Sequence, residues 1–131
     1  MLKPSQFRPN DAWIAFRLND APIATERDGD FNVLCLMDAA TCCIIGNEFV
    51  PVQGSVAPVD ASERLIAAAQ AQAGGVAAKF FLSTELASGS FSTVVEAIGA
   101  TCVLASDREL APLISDAKAG FLAYIGGGRR Q

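Results

Sequence analysis

The sequence predicts an α/β domain: a mixed five-stranded sheet, element order βββαβαβα, with helices on both faces. Three observations lead to it. Phe31 to Val50, FNVLCLMDAATCCIIGNEFV, holds two apolar runs rich in strand formers, joined by a short turn that carries Asp38 and Thr41. That is the pattern of an antiparallel hairpin. Downstream, short apolar runs alternate with segments whose apolar residues recur at helical spacing, as in strands joined through helices. Finally, 51% of the 131 residues are hydrophobic and 18% are charged, so burial offsets the ordering entropy and covers the elements on more than one face.

Residues 1–11 read as an N-terminal extension, and the whole of 1–131 as one domain. Trp13 to Leu18, WIAFRL, alternates: Ile14, Phe16 and Leu18 share one face, Trp13, Ala15 and Arg17 the other, which makes a strand. Asn19 to Asp30 is a surface connection rich in Asp, Pro and Gly. Phe31 to Met37 and Cys42 to Val50 are apolar on both faces, as strands covered on both sides would be, and Pro51 to Pro58 is a loop. Asp60 with Glu63 resembles a capping box, and an alanine-rich helix follows with an inner stripe of Leu65, Ile66 and Ala69, ending at Gly74 and Gly75.

Lys79 to Ser83, KFFLS, is the next strand. A helix over about Gly89 to Ile98 places Phe91, Val94, Val95 and Ile98 on one stripe, and Gly99 ends it. Ala100 to Ala105 is the last strand, parallel to the one before because a helix joins them. A last helix carries Leu110, Leu113, Ile114, Ala117, Phe121 and Tyr124, with Pro112 best accommodated in its first turn. Residues 126–131, GGGRRQ, read as a flexible tail in which Arg129 and Arg130 are solvated.

Composition excludes several functions. A net charge of −4 and a pI near 4.6 have the wrong sign for a surface that neutralises phosphates, so nucleic acid is disfavoured as a partner. No uncharged apolar run reaches the ~18 to 20 residues of a membrane helix, and MLKPSQFRPND has no signal-peptide core, so a soluble cytoplasmic protein is expected. Cys35, Cys42, Cys43 and Cys102 read as reduced core or strand residues. A vicinal disulfide or redox pair at Cys42 and Cys43 is the alternative, without CxxC spacing. With no histidine there is no Ser-His-Asp or Cys-His catalysis and no histidine-ligated metal. The paired and triple glycines lack the spacing of a nucleotide-binding loop, and no cofactor is expected.

The element order, with VLCLMDAATCCIIGNEFVPV and LSTELASGSFSTVVEAIGATC, resembles a ribonuclease-H-like fold of the retroviral-type integrase and transposase kind. It is also similar to a group of uncharacterised bacterial domains with the same hairpin and β-α-β ending. The resemblance implies clustered carboxylates holding two divalent ions beside a scissile phosphate. The family's first-strand Asp falls at about Phe16 and the second acid at Leu82 or Ser83, and neither matches. Asp107 and Glu109 lie in the third neighbourhood, where acids also serve helix starts. Asp38 does not substitute, because its strand runs antiparallel to the first and ends on the opposite side of the sheet. Asp38 and Thr41 therefore read as turn chemistry.

Three functions compete. One is a non-catalytic ribonuclease-H-like domain acting through protein contacts, with a protein partner or a second copy of itself as a homodimer, given the apolar composition. A second is a hydrolase or metal-dependent nuclease-like enzyme using groups at the carboxyl ends of the parallel strands: Ser83, Thr84, Glu85, Ser106 and Asp107, with Glu85 and Asp107 as metal candidates. Such residues are also ordinary turn and cap residues. The third is a small-molecule binding module with an apolar pocket around Trp13, Phe16, Phe80 or Phe81, aromatics that periodicity already assigns to the core.

Overall fold

Ten segments of regular structure organise the chain, and the computed structural model describes residues 2–19, 23–24, 29–52, 57–87 and 90–128. A single 3₁₀ turn, Pro4–Gln6, precedes strands β1 (Ala12–Arg17), β2 (Phe31–Asp38) and β3 (Ile44–Pro51). Helix α1 (Val59–Ala73) leads to β4 (Lys79–Ser83), helices α2 (Thr84–Ala87) and α3 (Phe91–Ala97), β5 (Thr101–Ala105) and α4 (Asp107–Gly128). The strands form one sheet in the order β3-β2-β1-β4-β5. β2 is antiparallel to both β1 and β3, whereas β4 is parallel to both β1 and β5. Among the described residues no helix is long and apolar enough to cross a membrane.

The period-two alternation read in WIAFRL divides the core into two layers. Trp13, Ala15, Leu34, Leu36, Phe80 and Leu82 face α1 and α3, meeting Leu65, Ile66 and Ala69 from the first and Phe91 and Val95 from the second. Ile14, Phe16, Val33, Cys35, Met37 and Phe81 face α4 and meet Leu110, Leu113 and Ile114. Helices therefore cover both faces, as expected. α1 lies close on β3 because residue 46 is glycine: a Cβ there would stand 3.2 Å from the Leu65 carbonyl oxygen. α1 ends as the sequence indicates, with Gly74 at φ 80° donating its N–H to the Gln70 carbonyl.

Several expectations are corrected. β3 is an edge strand with half of its residues exposed, Phe49 by 64%, so it is not covered on both faces. Cys42 and Cys43 precede it in the turn, Cys42 at φ 56° and Cys43 exposed, so they are not strand residues on opposite faces. α1 has Pro58 at its N-cap and no side-chain capping bond, so Asp60 and Glu63 do not form the expected box. Instead Ser62 Oγ–H turns back onto the carbonyls of Ala57 and Pro58. The polar segment before α3 contains the extra short helix α2. Pro112 lies in the second turn of α4, which begins five residues earlier at Asp107, and the helix runs through the triple glycine to Gly128. Arg129 and Arg130, read as solvated, and the side chain of Tyr124 lie outside the described residues.

Candidate functional site at the carboxyl ends of the parallel strands

β1 and β4 run side by side in one direction, Ala15 opposite Leu82, so Phe16 and Ser83 follow one step later at the same level. Ser83 in turn lies opposite Ala105 of β5. By alternation the Ser83 side chain points to the same face as Phe81, toward α4. The chain leaves β4 directly into α2, which sets Thr84 and Glu85 at the sheet end, and it leaves β5 into α4, which sets Asp107 there.

These turns enclose a pocket of about 220 Å³. Phe16 and Ile114 supply apolar walls, and Ser83, Thr84, Glu85 and Asp107 line it together. Four of the five strand-end residues singled out from the sequence thus meet in one place. Ser106 does not line the pocket, because its hydroxyl serves the start of α4. Ser106 Oγ–H and N–H both meet Glu109 Oε1, at 3.1 and 3.0 Å, and the Glu109 N–H donates back to Ser106 Oγ at 3.2 Å. This is a capping box, and the backbone and hydroxyl donors hold the Glu109 carboxyl below its ordinary range.

Two cations complete the lining: Arg17, the last residue of β1, and Lys118 of α4. Sequence reading did not pick them out. The available signals were a charge ending an otherwise apolar strand and a lysine four residues after Ile114, hence on the same helix face. Arg17 Nε stands 3.5 Å from Glu85 Oε1, with both side chains about one-third exposed. A pair so solvated contributes at most about 1 kcal/mol. Ser83 differs: it is only 7% exposed, and its Oγ has no hydrogen-bond partner among the described residues. Leaving a hydroxyl buried and unsatisfied costs about 1–3 kcal/mol.

The pocket does not have the donors of a two-metal centre. Its carboxylates are Glu85 and Asp107, and among the described residues no three His, Cys, Asp or Glu side chains gather to hold a metal ion. Three of the thiols, Cys35, Cys42 and Cys102, are shifted away from activation. Burial pushes Cys35 up to about 12. Cys42 is raised by burial and then by the negative neighbours Cys43, Asp116 and Asp38, and Cys102 by burial and then Glu96. All four cysteines are free.

Asp38 lies at the other end of the sheet, opposite Trp13 in the register, four residues before Arg17 along β1. It accepts hydrogen bonds from the N–H groups of Asn10 and Ala40, both at 3.3 Å, and from Thr41 Oγ1–H at 3.2 Å. Asp38 and Thr41 are turn chemistry, as read from the sequence. The aromatics around Trp13 are solid core: Trp13 and Phe80 are fully buried and meet edge to face with centroids 5.4 Å apart. Of the aromatics proposed to line an apolar pocket, only Phe16 borders a described cavity, the strand-end one. A second concavity, of about 440 Å³, runs between α1 and α3 beside the exposed Val59 and Ile98. No family model matches the chain, and no curated protein matches it by sequence.

Proposed function

We propose that the chain is a non-catalytic domain of ribonuclease-H-like topology that works by binding a small polar ligand in its strand-end pocket. The topology is supported by three antiparallel strands followed by two parallel ones joined through helices. The resemblance maps the family's acids to about Phe16, to Leu82 or Ser83, and to the neighbourhood of Asp107 and Glu109, and Phe16, Ser83 and Asp107 of these line one pocket, which supports the topology further. The observation that carries the binding reading is the buried, unpartnered Ser83 hydroxyl lining a cleft at the strand ends, where ligands of α/β proteins gather. Nuclease chemistry is disfavoured because two of the three acids are missing and two cations line the site.

The test has two arms. Incubated with single- and double-stranded DNA and RNA and Mg²⁺ or Mn²⁺, the protein leaves the strands intact; cleavage abolished by Glu85→Gln or Asp107→Asn would overturn the non-catalytic reading. Screened by thermal shift against small polar metabolites, it shows stabilisation by at least one compound, and Arg17→Gln weakens that response. Failure of every compound would sink the binding reading.

A second reading, contact with a protein partner or a second copy, is favoured by the α1–α3 concavity, whose rim leaves Val59 and Ile98 exposed by 46% and 48%. Light scattering on the eluting protein decides self-association: a strict monomer at high concentration removes the homodimer.

A further inference from the structure

The lining of the strand-end pocket carries both signs of charge, and this narrows the ligand. Arg17 and Lys118 are on it, and so are Glu85 and Asp107. A multiply charged anion such as phosphate would be drawn to the two cations but would face two carboxylates within the same 220 Å³. A divalent cation would meet the reverse conflict, with fewer acidic ligands than hard ions take. A neutral molecule would desolvate these charged groups while offering a charge to neither sign. The volume is below the roughly 300 Å³ at which pockets for larger ligands begin. It suits a molecule of few heavy atoms.

We propose that the pocket at the carboxyl ends of β1 and β4 binds a small zwitterion of the amino-acid class. Ser83 Oγ–H donates to the ligand carboxylate beside Arg17 and Lys118, and the ligand ammonium lies toward Glu85 and Asp107. The proposal rests on the reading of the pocket as a binding site and adds the ligand's charge pattern. Ser83 is the anchor, because its buried hydroxyl otherwise has no partner among the described residues. Arg17 suits the carboxylate for a geometric reason: its guanidinium carries five N–H donors in a planar fork, and it meets Glu85 through Nε at 3.5 Å. Phe16 and Ile114 leave an apolar wall for a short side chain.

The test is a titration of the ¹⁵N-labelled full chain, followed by its amide spectrum, with the standard amino acids one at a time. Propionate, ethylamine, inorganic phosphate and Mg²⁺ serve as comparators. At least one amino acid is expected to move the amides of Ser83, Thr84, Glu85 and Asp107 saturably at millimolar concentration or below. Propionate and ethylamine, each carrying half the charge pattern, are expected to bind at least about tenfold more weakly. Ser83→Ala and Arg17→Gln each weaken the amino acid while keeping a dispersed, folded spectrum. If phosphate, Mg²⁺, propionate or ethylamine moves those amides as strongly as any amino acid, the zwitterion is overturned while the pocket stands. If no probe here and no metabolite in the thermal screen reaches those residues, the binding reading falls with it.

Discussion

The two ends of the sheet treat polar side chains in opposite ways. At the end where β2 turns into β3, Asp38 is 5% exposed and receives two backbone N–H groups and one hydroxyl. Asn10, at φ 66°, joins that network, accepting from Trp13 Nε1–H at 3.3 Å and donating to the Ala73 carbonyl at 3.4 Å. At the other end Ser83 is nearly as deeply buried and its hydroxyl has no partner among the described residues, while charges of both signs line the pocket beside it. A carboxylate with its acceptor capacity used ties a turn, the N-terminal segment and the end of α1 into one unit. A hydroxyl left unsatisfied beside a cavity keeps a bonding position open for something else. Acidity alone therefore does not distinguish the two ends, and the state of hydrogen-bond satisfaction does.

The contrast is broken most forcefully at Asp38. Asp38→Ala leaves the N–H groups of Asn10 and Ala40 and the Thr41 hydroxyl without their acceptor and is expected to destabilise the fold by about 2 kcal/mol. Asp38→Asn keeps an oxygen for the two N–H groups and should recover most of that loss. Urea unfolding at an unchanged m-value reads both. An Ala variant as stable as the parent would mean that the network is ornamental, and the two ends would no longer differ in kind.

Much of this was legible in the sequence for simple reasons of periodicity. The alternation in WIAFRL gives the two core layers, and Leu65, Ile66 and Ala69 give the buried stripe of α1. The strand-end candidates followed from one rule about where parallel strands stop, and Ser83, Thr84, Glu85 and Asp107 do share a pocket. What failed was information that is not local. The run from Cys42 to Val50 is apolar enough for a central strand, but its place at the edge depends on which neighbours pair with it. The site cations were missed because Arg17 and Lys118 are far apart in sequence and come to line one pocket only after β1 and α4 pack. Two signals were present but misjudged: S-D-R-E at 106–109 is a capping box by spacing, whereas the similar D-A-S-E at 60–63 is not one.

A smaller effect sharpens the pocket end. The Ser106 and Glu109 capping box fixes where α4 begins, and with it where Asp107 stands. Ser106→Ala is expected to cost about 1 kcal/mol. Glu109 has a folded-state value lowered by the Ser106 N–H and then by its hydroxyl, so its contribution to stability is present above the unfolded value near 4.5 and is lost as pH falls through the lower folded value. In the Ala variant the hydroxyl is gone and the backbone donor stays, so the Glu109 midpoint should rise part of the way toward 4.5. A carboxyl-detected NMR titration measures it. An unmoved midpoint would show that the hydroxyl does not hold the carboxylate.

The smallest expected change is the most diagnostic, because its sign is opposite to that at Asp38. Ser83→Ala removes a buried hydroxyl that has no partner, and alanine fills nearly the same space, so no bond is lost and a desolvation penalty is relieved. The ligand-free protein should be unchanged or stabilised by about 1 kcal/mol or less. Stability and binding would then pull apart at one atom: the variant gains in the first and loses in the second, as expected of a polar group kept for a ligand rather than for the fold. If Ser83→Ala instead lowers stability by as much as Asp38→Ala, the hydroxyl is bonded within the protein. Both ends of the sheet would then be structural, and the pocket would lose the feature that distinguishes it.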